Sequence, residues 1–117
     1  MDFTQETATR ARPFLSDLLV GEGHQTSDVL IGNSQTIAEG SVLGYNTDND
    51  DWEAYSAAAV GTTQSGDIAI AVEGVTTGGA ETATIAAVIG GPVKLSELDS
   101  APATFKKGQV KGLLILR

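Results

Sequence analysis

The stretch that decides the fold runs from Thr36 to Val93, and its centre, residues 66–75, reads GDIAIAVEGV. In that centre isoleucine and valine alternate with alanine, which is the two-residue period of a β-strand. Around it, short apolar and β-branched runs are separated by Gly, Asn and Asp, a pattern typical of a compact all-β unit. Both faces of the central strand are apolar and one is small, so we expect a neighbouring sheet or subunit to approach it closely.

The segments on either side of the central strand predict further strands and turns. Residues 27–32 and 82–89 are expected to be strands, the second forming a hairpin with the central strand through Gly78-Gly79. Residues 90–92, Gly-Gly-Pro, are expected to end this pairing, because proline donates no backbone hydrogen bond. The apolar run 113–116 predicts a final strand that is buried on both faces.

Length and composition indicate one domain. The chain has 117 residues, enough to bury a hydrophobic core. Its apolar residues are mostly Ala, Val, Ile and Leu, and its 14 glycines suit strands and tight turns better than long helices. One-turn helices are expected at residues 96–99 and 103–107. The predicted fold class is therefore a small, single, mainly β domain with short helical segments.

The formal charge of the chain is −8 and is unevenly distributed. Residues 13–93 contain no Lys or Arg, and all seven basic residues lie outside that range. Phosphate backbones are bound by clustered Lys and Arg, so this acidic core argues against a nucleic-acid partner. The acidity is expected to maintain solubility, or to attract basic surfaces such as the basic ends of a neighbouring copy.

Neither a membrane partner nor a redox compartment is indicated. No apolar run approaches the roughly 20 residues that span a bilayer, and the N-terminus lacks the pattern of a signal peptide. The chain has no cysteine, which excludes disulfides and thiolate sites but leaves the redox compartment open. We therefore expect a soluble protein made in a cytoplasm.

The residues offer little material for catalysis. His24 is the single histidine, and it lies in a glycine-flanked turn without an orienting partner nearby in sequence. Residues 47–51 are similar to the start of a calcium loop, but Trp52 and Glu53 stand where that loop needs a ligand and a glycine, so a solvated turn is predicted. We predict no catalytic residue, no metal and no cofactor.

A set of motifs follows one another along the chain in a particular order. They are the run 18–23, the segments 28–30 and 37–44, the sequence WEAY at 52–55, the strand 69–75, the Gly78-Gly79 turn, and the closing segments 105–108 and 112–116. In order and spacing this set resembles the phage head decoration protein family. The resemblance covers about residues 18–117, and no single residue in it is diagnostic.

The resemblance implies a small β-rich fold, often classed as a β-clip, that assembles as a homotrimer. Such trimers bind the outside of an expanded icosahedral head at its threefold positions, as cement between subunits of the major capsid protein. They are made in the host cytoplasm and end on the outer surface of the virion. The resemblance further implies that residues 1–14 are an arm, mobile in the free protein, and that residues 15–117 form the decoration domain. The stretch Arg10-Ala11-Arg12-Pro13 differs from the family pattern.

Two sets of site residues follow from this interpretation. The arm and the anchor beside it are predicted to bind the capsid through Thr4, Gln5, Thr7, Thr9, Arg10, Arg12, Phe14, Leu18 and Leu19. The trimer interface is predicted to use small residues and aromatics, which are Trp52, Tyr55, Ala58, Val60, Ala69 and Ala71. For the two aromatics, partial burial at a strand edge is the other interpretation, since such rings suit both settings.

Other classes of function stay open. A small β-rich module that binds a sugar or a peptide would need an exposed aromatic platform, which Trp52, Tyr45 and Tyr55 could supply. A trimeric enzyme would need carboxylates gathered where subunits meet. Another kind of virion structural module would share the absence of a catalytic site.

Overall fold

A computed structural model of the chain describes residues 25–99, 101–111 and 113–117. Within these residues there are nine strands and two 3-10 turns. The strands are β1 (Gln25–Ile31), β2 (Thr36–Ile37), β3 (Val42–Asn46), β4 (Asp51–Ala54), β5 (Gln64–Ala71), β6 (Val75–Thr76), β7 (Ala83–Val93), β8 (Val110–Lys111) and β9 (Leu113–Leu116). The turns are Ala57–Ala59 and Leu95–Glu97. The predicted fold class, a small mainly β domain with short helical segments, is confirmed.

Five of these strands close into a barrel-like sheet. The pairing runs from β1 to β4, β3, β5, β7 and back to β1. β1 and β4 are parallel, whereas the other four pairs are antiparallel. In the described residues the junction of β1 and β4 is one pair, Ile31 with Trp52, supported by a 2.9 Å hydrogen bond from Gly32 N to Trp52 O. This junction is the thinnest part of the closed sheet.

β7 continues beyond the closed sheet and carries the C-terminal strands. Its second half pairs in parallel with β9, and β9 pairs with β8. The prediction that residues 90–92 end the pairing is therefore wrong. Val93 O accepts from Arg117 N and Leu95 N donates to Arg117 O, so the odd-numbered residues of this stretch bond to β9. Pro92 falls between them, at a position where β9 requires no N–H from it.

Two hydrophobic cores lie on opposite faces of the closed sheet. The outer core packs residues 93–116 against the outside of β3, β5 and β7. Its buried members are Val42, Ile68, Ile70, Val72, Val88, Val93, Leu98, Phe105, Leu114 and Leu116. The inner core fills the closed sheet with Val29, Ile31, Ile37, Leu43, Ala69, Ala71, Ile85 and Ala87. β5 contributes to both cores, and this explains why both of its faces are apolar.

The small face of β5 points into the closed sheet. The interior of a closed sheet is narrower when it has fewer strands, so a ring of five strands leaves little room for large side chains. Ala69 and Ala71 are 0% exposed there, covered by the chain's own strands. The prediction that a neighbouring subunit approaches this face is therefore wrong, because strands of the same chain cover it.

The predicted hairpin between the central strand and residues 82–89 forms in part. β5 and β7 pair around Ile70 and Val88, but most of β7 pairs with β1. The link between β5 and β7 carries β6, which pairs with β2. Gly78 O accepts a 2.8 Å hydrogen bond from Ser34 N, so the Gly78-Gly79 turn is tied to the loop after β1 instead of closing a tight hairpin.

Two further bends lie between strands, and the one at residues 47–50 agrees with the solvated turn predicted there. Gly40 has φ 87, a region that favours glycine. Residues 47–50 form a turn between β3 and β4. Asn46 closes that turn, because its Oδ1 accepts 2.9 Å hydrogen bonds from the backbone N–H groups of Asp48 and Asn49.

Candidate functional site

Trp52 lies on β4, at the junction that closes the sheet. Its ring meets that of Tyr45 edge-on, with centroids 5.4 Å apart and planes at 63°. The Tyr45 hydroxyl donates to Asp50 Oδ1 in the adjacent turn. Both rings are half-buried, and Trp52 packs against the inner core. Their edge-on contact does not present the flat open platform that a sugar-binding module would use.

Tyr55 belongs to the outer core instead. Its ring packs against Phe105 at 5.6 Å between centroids. Together with Asp99 and Pro102 it lines a half-open cavity of about 150 Å³. Tyr55 therefore fastens the C-terminal segment to the closed sheet, and its half-buried position leaves part of the ring accessible.

The remaining residues of the predicted trimer interface fall into two groups. Ala58, in the first 3-10 turn, is exposed, and Val60 is 39% exposed. Both can be reached by another chain. Ala69 and Ala71 are fully buried in the inner core and cannot be reached. The structure therefore does not place the six predicted residues on one surface.

Among the large apolar side chains of the described residues, the two most exposed lie on the C-terminal strands. The sequence predicted that the final strand is buried on both faces. Leu114 and Leu116 are fully buried against the outer core, but Leu113 is 64% exposed and Val110 is 65% exposed. Ile115 lies opposite Val110 and is half-buried. The final strand is thus buried on one face. The other face forms a surface, here called the C-terminal face, of Pro92, Val110, Leu113 and Ile115.

A groove continues from the C-terminal face toward the mouth of the closed sheet. It has a volume of about 260 Å³ and is lined by Trp52, Asp67, Ile68, Ile89 and Leu113. It lies where β9 takes the place of β5 beside β7, since Ile70 pairs with Val88 but Gly90 pairs with Leu113. Leu113 belongs to both the groove and the C-terminal face, so the two adjoin, and Asp67 is the charged residue of the groove.

A buried polar network joins β3, β4 and β5. Glu53 accepts from Asn46 Nδ2 at 2.9 Å and from Gln64 Nε2 at 2.7 Å, one at each carboxylate oxygen. Gln64, which is 2% exposed, also donates to Ala54 O and accepts from Ser56 N. Every polar atom of the Gln64 side chain is thereby used, as burial requires. The network fixes the loops around Trp52, and sequence reasoning missed it.

Asp51 is the one described residue with a buried side-chain oxygen, Oδ1, that lacks a hydrogen-bond partner. Its Oδ2 lies 2.6 Å from the position that a Cβ on Gly32 would occupy, so any larger residue there would require the Asp51 side chain to move. Burial, and then the negative charges of Glu53 and Asp50, raise the pKa of Asp51. The pKa of Tyr45 is also raised, first by its hydrogen bond to Asp50. The three carboxylates Asp50, Asp51 and Glu53 thus lie together beside the junction of β1 and β4.

The described residues contain no group of three or more His, Cys, Asp or Glu side chains arranged to hold a metal ion. None of the helical segments in the described part is long and apolar enough to cross a membrane.

Several predicted site residues lie outside the described residues. They are all nine residues of the predicted capsid-binding arm, Thr4, Gln5, Thr7, Thr9, Arg10, Arg12, Phe14, Leu18 and Leu19. The predicted boundary between an arm, 1–14, and a domain, 15–117, falls there too. These predictions stand as predictions.

Comparison with known proteins gives no assignment. No family model matches the chain, and no curated protein matches it significantly.

Proposed function

We propose that this chain is a decoration protein of a bacteriophage head. In this proposal a homotrimer binds the exterior of the expanded icosahedral capsid at threefold sites and cements subunits of the major capsid protein. The role is mechanical and requires no catalytic residue and no cofactor. The N-terminal arm makes the main capsid contact, with Phe14, Leu18 and Leu19 as the anchor.

The observation that carries the proposal is the order and spacing of motifs over residues 18–117. The fold supports it, because the resemblance implies a small β-rich domain with short helical pieces. The segment that resembles the central strand of the family, 69–75, begins in β5, which lies between β3 and β7. The closing segment 105–116 contributes β8, all of β9 and buried outer-core residues.

Physical considerations explain how such a chain could act as cement. A trimer that touches several capsid subunits makes several linked contacts, and linkage raises avidity well above that of each contact. An arm that adds a strand to an open capsid sheet gains affinity from backbone hydrogen bonds. The entropy lost on ordering the arm keeps binding reversible until a complete shell is present.

The test is cosedimentation with purified heads. The full chain is expected to sediment with expanded heads and to remain in the supernatant with unexpanded ones. A chain lacking residues 1–12 is expected to keep its oligomeric state, measured by light scattering, and to lose binding to expanded heads. Normal decoration by the truncated chain would remove the role of the arm. Absence of binding by the full chain to expanded heads would overturn the proposed function.

A further inference from the structure

The C-terminal face is an apolar strand surface turned away from the domain's own cores. Pro92 pairs with Ile115 and Ile115 with Val110, so these three side chains form a row across β7, β9 and β8. Leu113 lies two residues from Ile115 on the same face and is opposite Gly90, which adds no side chain. Large apolar side chains that are two-thirds exposed on adjacent strands mark a contact surface more often than a solvated one.

Positive charge surrounds this face. Hydrogen bonding of Arg117 with Val93 and Leu95 continues the ladder, so Lys94 and Arg117 form the next row on the same side as Pro92 and Ile115. Both are exposed, as are Lys106 and Lys107 in the loop before β8. Within the described residues none of these basic side chains forms a salt bridge. Their charge is therefore available to a partner.

The rest of the described chain has the opposite sign. Residues 25–93 contain no Lys or Arg and carry nine carboxylates, Asp28, Glu39, Asp48, Asp50, Asp51, Glu53, Asp67, Glu73 and Glu81. One chain thus presents a basic apolar face on its C-terminal strands and an acidic surface on its closed sheet. Surfaces of this kind are complementary between two copies.

We propose that the C-terminal face binds the closed sheet of a second copy of this chain, in a head-to-tail contact. This inference rests on the proposed function in taking the assembly to be a homotrimer, and it assigns the surface and the polarity of the contact. A contact between two C-terminal faces would bring Lys94 and Arg117 against their own copies, which like-charge repulsion opposes. Head-to-tail contacts between identical chains close into rings when the rotation permits.

The receiving surface is assigned to the outer face of β1. Leu30 is 43% exposed there, and Asp28, two residues earlier on the same face, is exposed beside it. Leu30 can pack against the apolar row of the C-terminal face, and Asp28 beside it can pair with Lys94 or Arg117. Val60, 39% exposed in a turn, is the comparison residue, because its exposure is similar and the contact proposed here replaces the sequence-based prediction that Val60 lies in the trimer interface.

The experiment measures the mass of the full chain by sedimentation equilibrium and native mass spectrometry. Leu113→Ser and Leu30→Ser are each expected to weaken assembly at least about tenfold, as loss of a central interface side chain does. Val60→Ser is expected to leave assembly unchanged, and high salt to weaken the wild-type assembly. All three positions are exposed, so circular dichroism and thermal unfolding of the dissociated chains should match the wild type.

Mixing two variants decides the polarity. The Leu113→Ser chain keeps the receiving surface and the Leu30→Ser chain keeps the C-terminal face, so together they are expected to form a one-to-one dimer that neither forms alone. Failure of this mixture to associate would overturn the head-to-tail contact. A monomeric wild type, or an assembly disrupted by Val60→Ser but not by Leu113→Ser, would overturn the assigned surface.

Failure of this inference is distinguishable from failure of the proposed function. Chains that assemble through Leu113 and Leu30 but do not bind expanded heads would remove the decoration role and leave the contact intact. Chains that bind expanded heads with wild-type affinity while Leu113→Ser and Leu30→Ser leave their assembly unchanged would remove the contact and leave the decoration role intact.

Discussion

Replacing Gly44 by alanine tests the buried polar network directly. Gly44 lies on β3 beneath the Gln64 side chain, and a Cβ added to it would stand 2.7 Å from Gln64 Cδ and closer still to Oε1. Its φ is not positive, so alanine is conformationally acceptable there. The side chain of Gln64 must therefore move, and it can move only by giving up the hydrogen bonds that hold it.

The size of the effect follows from those hydrogen bonds. Gln64 would lose its bonds to Glu53, Ala54 and Ser56 while remaining 2% exposed. A hydrogen bond to a charged group contributes about 1.5–3 kcal/mol and neutral ones about 0.5–1.5 kcal/mol each. The three bonds together are worth about 2.5–6 kcal/mol, and Gly→Ala returns about 0.4–1 kcal/mol through the unfolded state, so Gly44→Ala is expected to lose about 1.5–5.5 kcal/mol.

A double-mutant cycle isolates the contact. Gln64→Ala removes the same hydrogen bonds and is expected to cost a similar amount, but it also vacates the space above Gly44. Adding Gly44→Ala to Gln64→Ala is then expected to cost almost nothing, which gives a coupling energy about equal to the loss that Gly44→Ala causes alone, at or above the upper end for contacting residues. The free energy of unfolding is measured in urea at one fixed protein concentration, with Trp52 fluorescence as the probe, because it is the single tryptophan. Additivity of the two substitutions within about 0.5 kcal/mol would refute the contact.

Three other substitutions test the remaining parts of the structure. Asp51→Asn is expected to stabilise the domain at neutral pH, because the pKa of Asp51 in the folded state is raised above its ordinary 3.8 and folding therefore disfavours the ionised carboxylate. The gain in unfolding free energy should fade as pH falls through that raised pKa. Urea titrations that show a constant or growing gain at lower pH would contradict this. Ala71→Leu should lose about 1–3 kcal/mol by overpacking the inner core, whereas Ala58→Leu on the surface should change stability by about 0.5 kcal/mol or less, and equal losses in urea would place Ala71 outside the core. Leu114→Ala should lose about 2–5 kcal/mol in thermal or urea unfolding of the dissociated chain, whereas Leu113→Ala should be nearly neutral; the reverse order would invert the faces of β9.

The alternation in residues 67–73 was sufficient to predict the central strand, because a strand buried on its faces shows its period in sequence. It could not identify what covers each face. The inner face is covered by β1, β3 and β7, and the outer face by residues more than twenty positions away, such as Leu114 and Leu116. A sequence pattern reports that a face is apolar, and the identity of its cover depends on topology.

The two wrong predictions for the C-terminal segment, at residues 90–92 and 113–116, have a similar cause. Pro92 argued against continued pairing, but only one of the two edges of β7 needs a donor at a given position, and the register decides which. The run 113–116 predicted two buried faces because all four residues are apolar. Two of them, Leu114 and Leu116, supply the outer core, and the sequence alone does not distinguish them from exposed Leu113.

The polar network was not predictable for another reason. Asn46, Glu53 and Gln64 look like ordinary surface residues, and their burial follows from the close approach of three strands over Gly44. A signal was present in the small residue between Leu43 and Tyr45, since glycine inside a strand often marks close approach by another group. That signal gives the place but not the partner.

The outer core of this domain is completed by residues 93–116, and its sheet is closed by pairing β1 with β7, more than fifty residues later in the chain. While the chain is being synthesised, the cover of Ile68 and Ile70 on β5 stays incomplete until Leu114 and Leu116 have left the ribosome. Folding is therefore expected to finish after synthesis of this segment and, given so many distant contacts, on the millisecond-to-second scale typical of all-β topologies. During that interval the apolar outside of β5 is open to chaperones and to other nascent chains, so the yield of folded protein is set by how fast the last strands arrive.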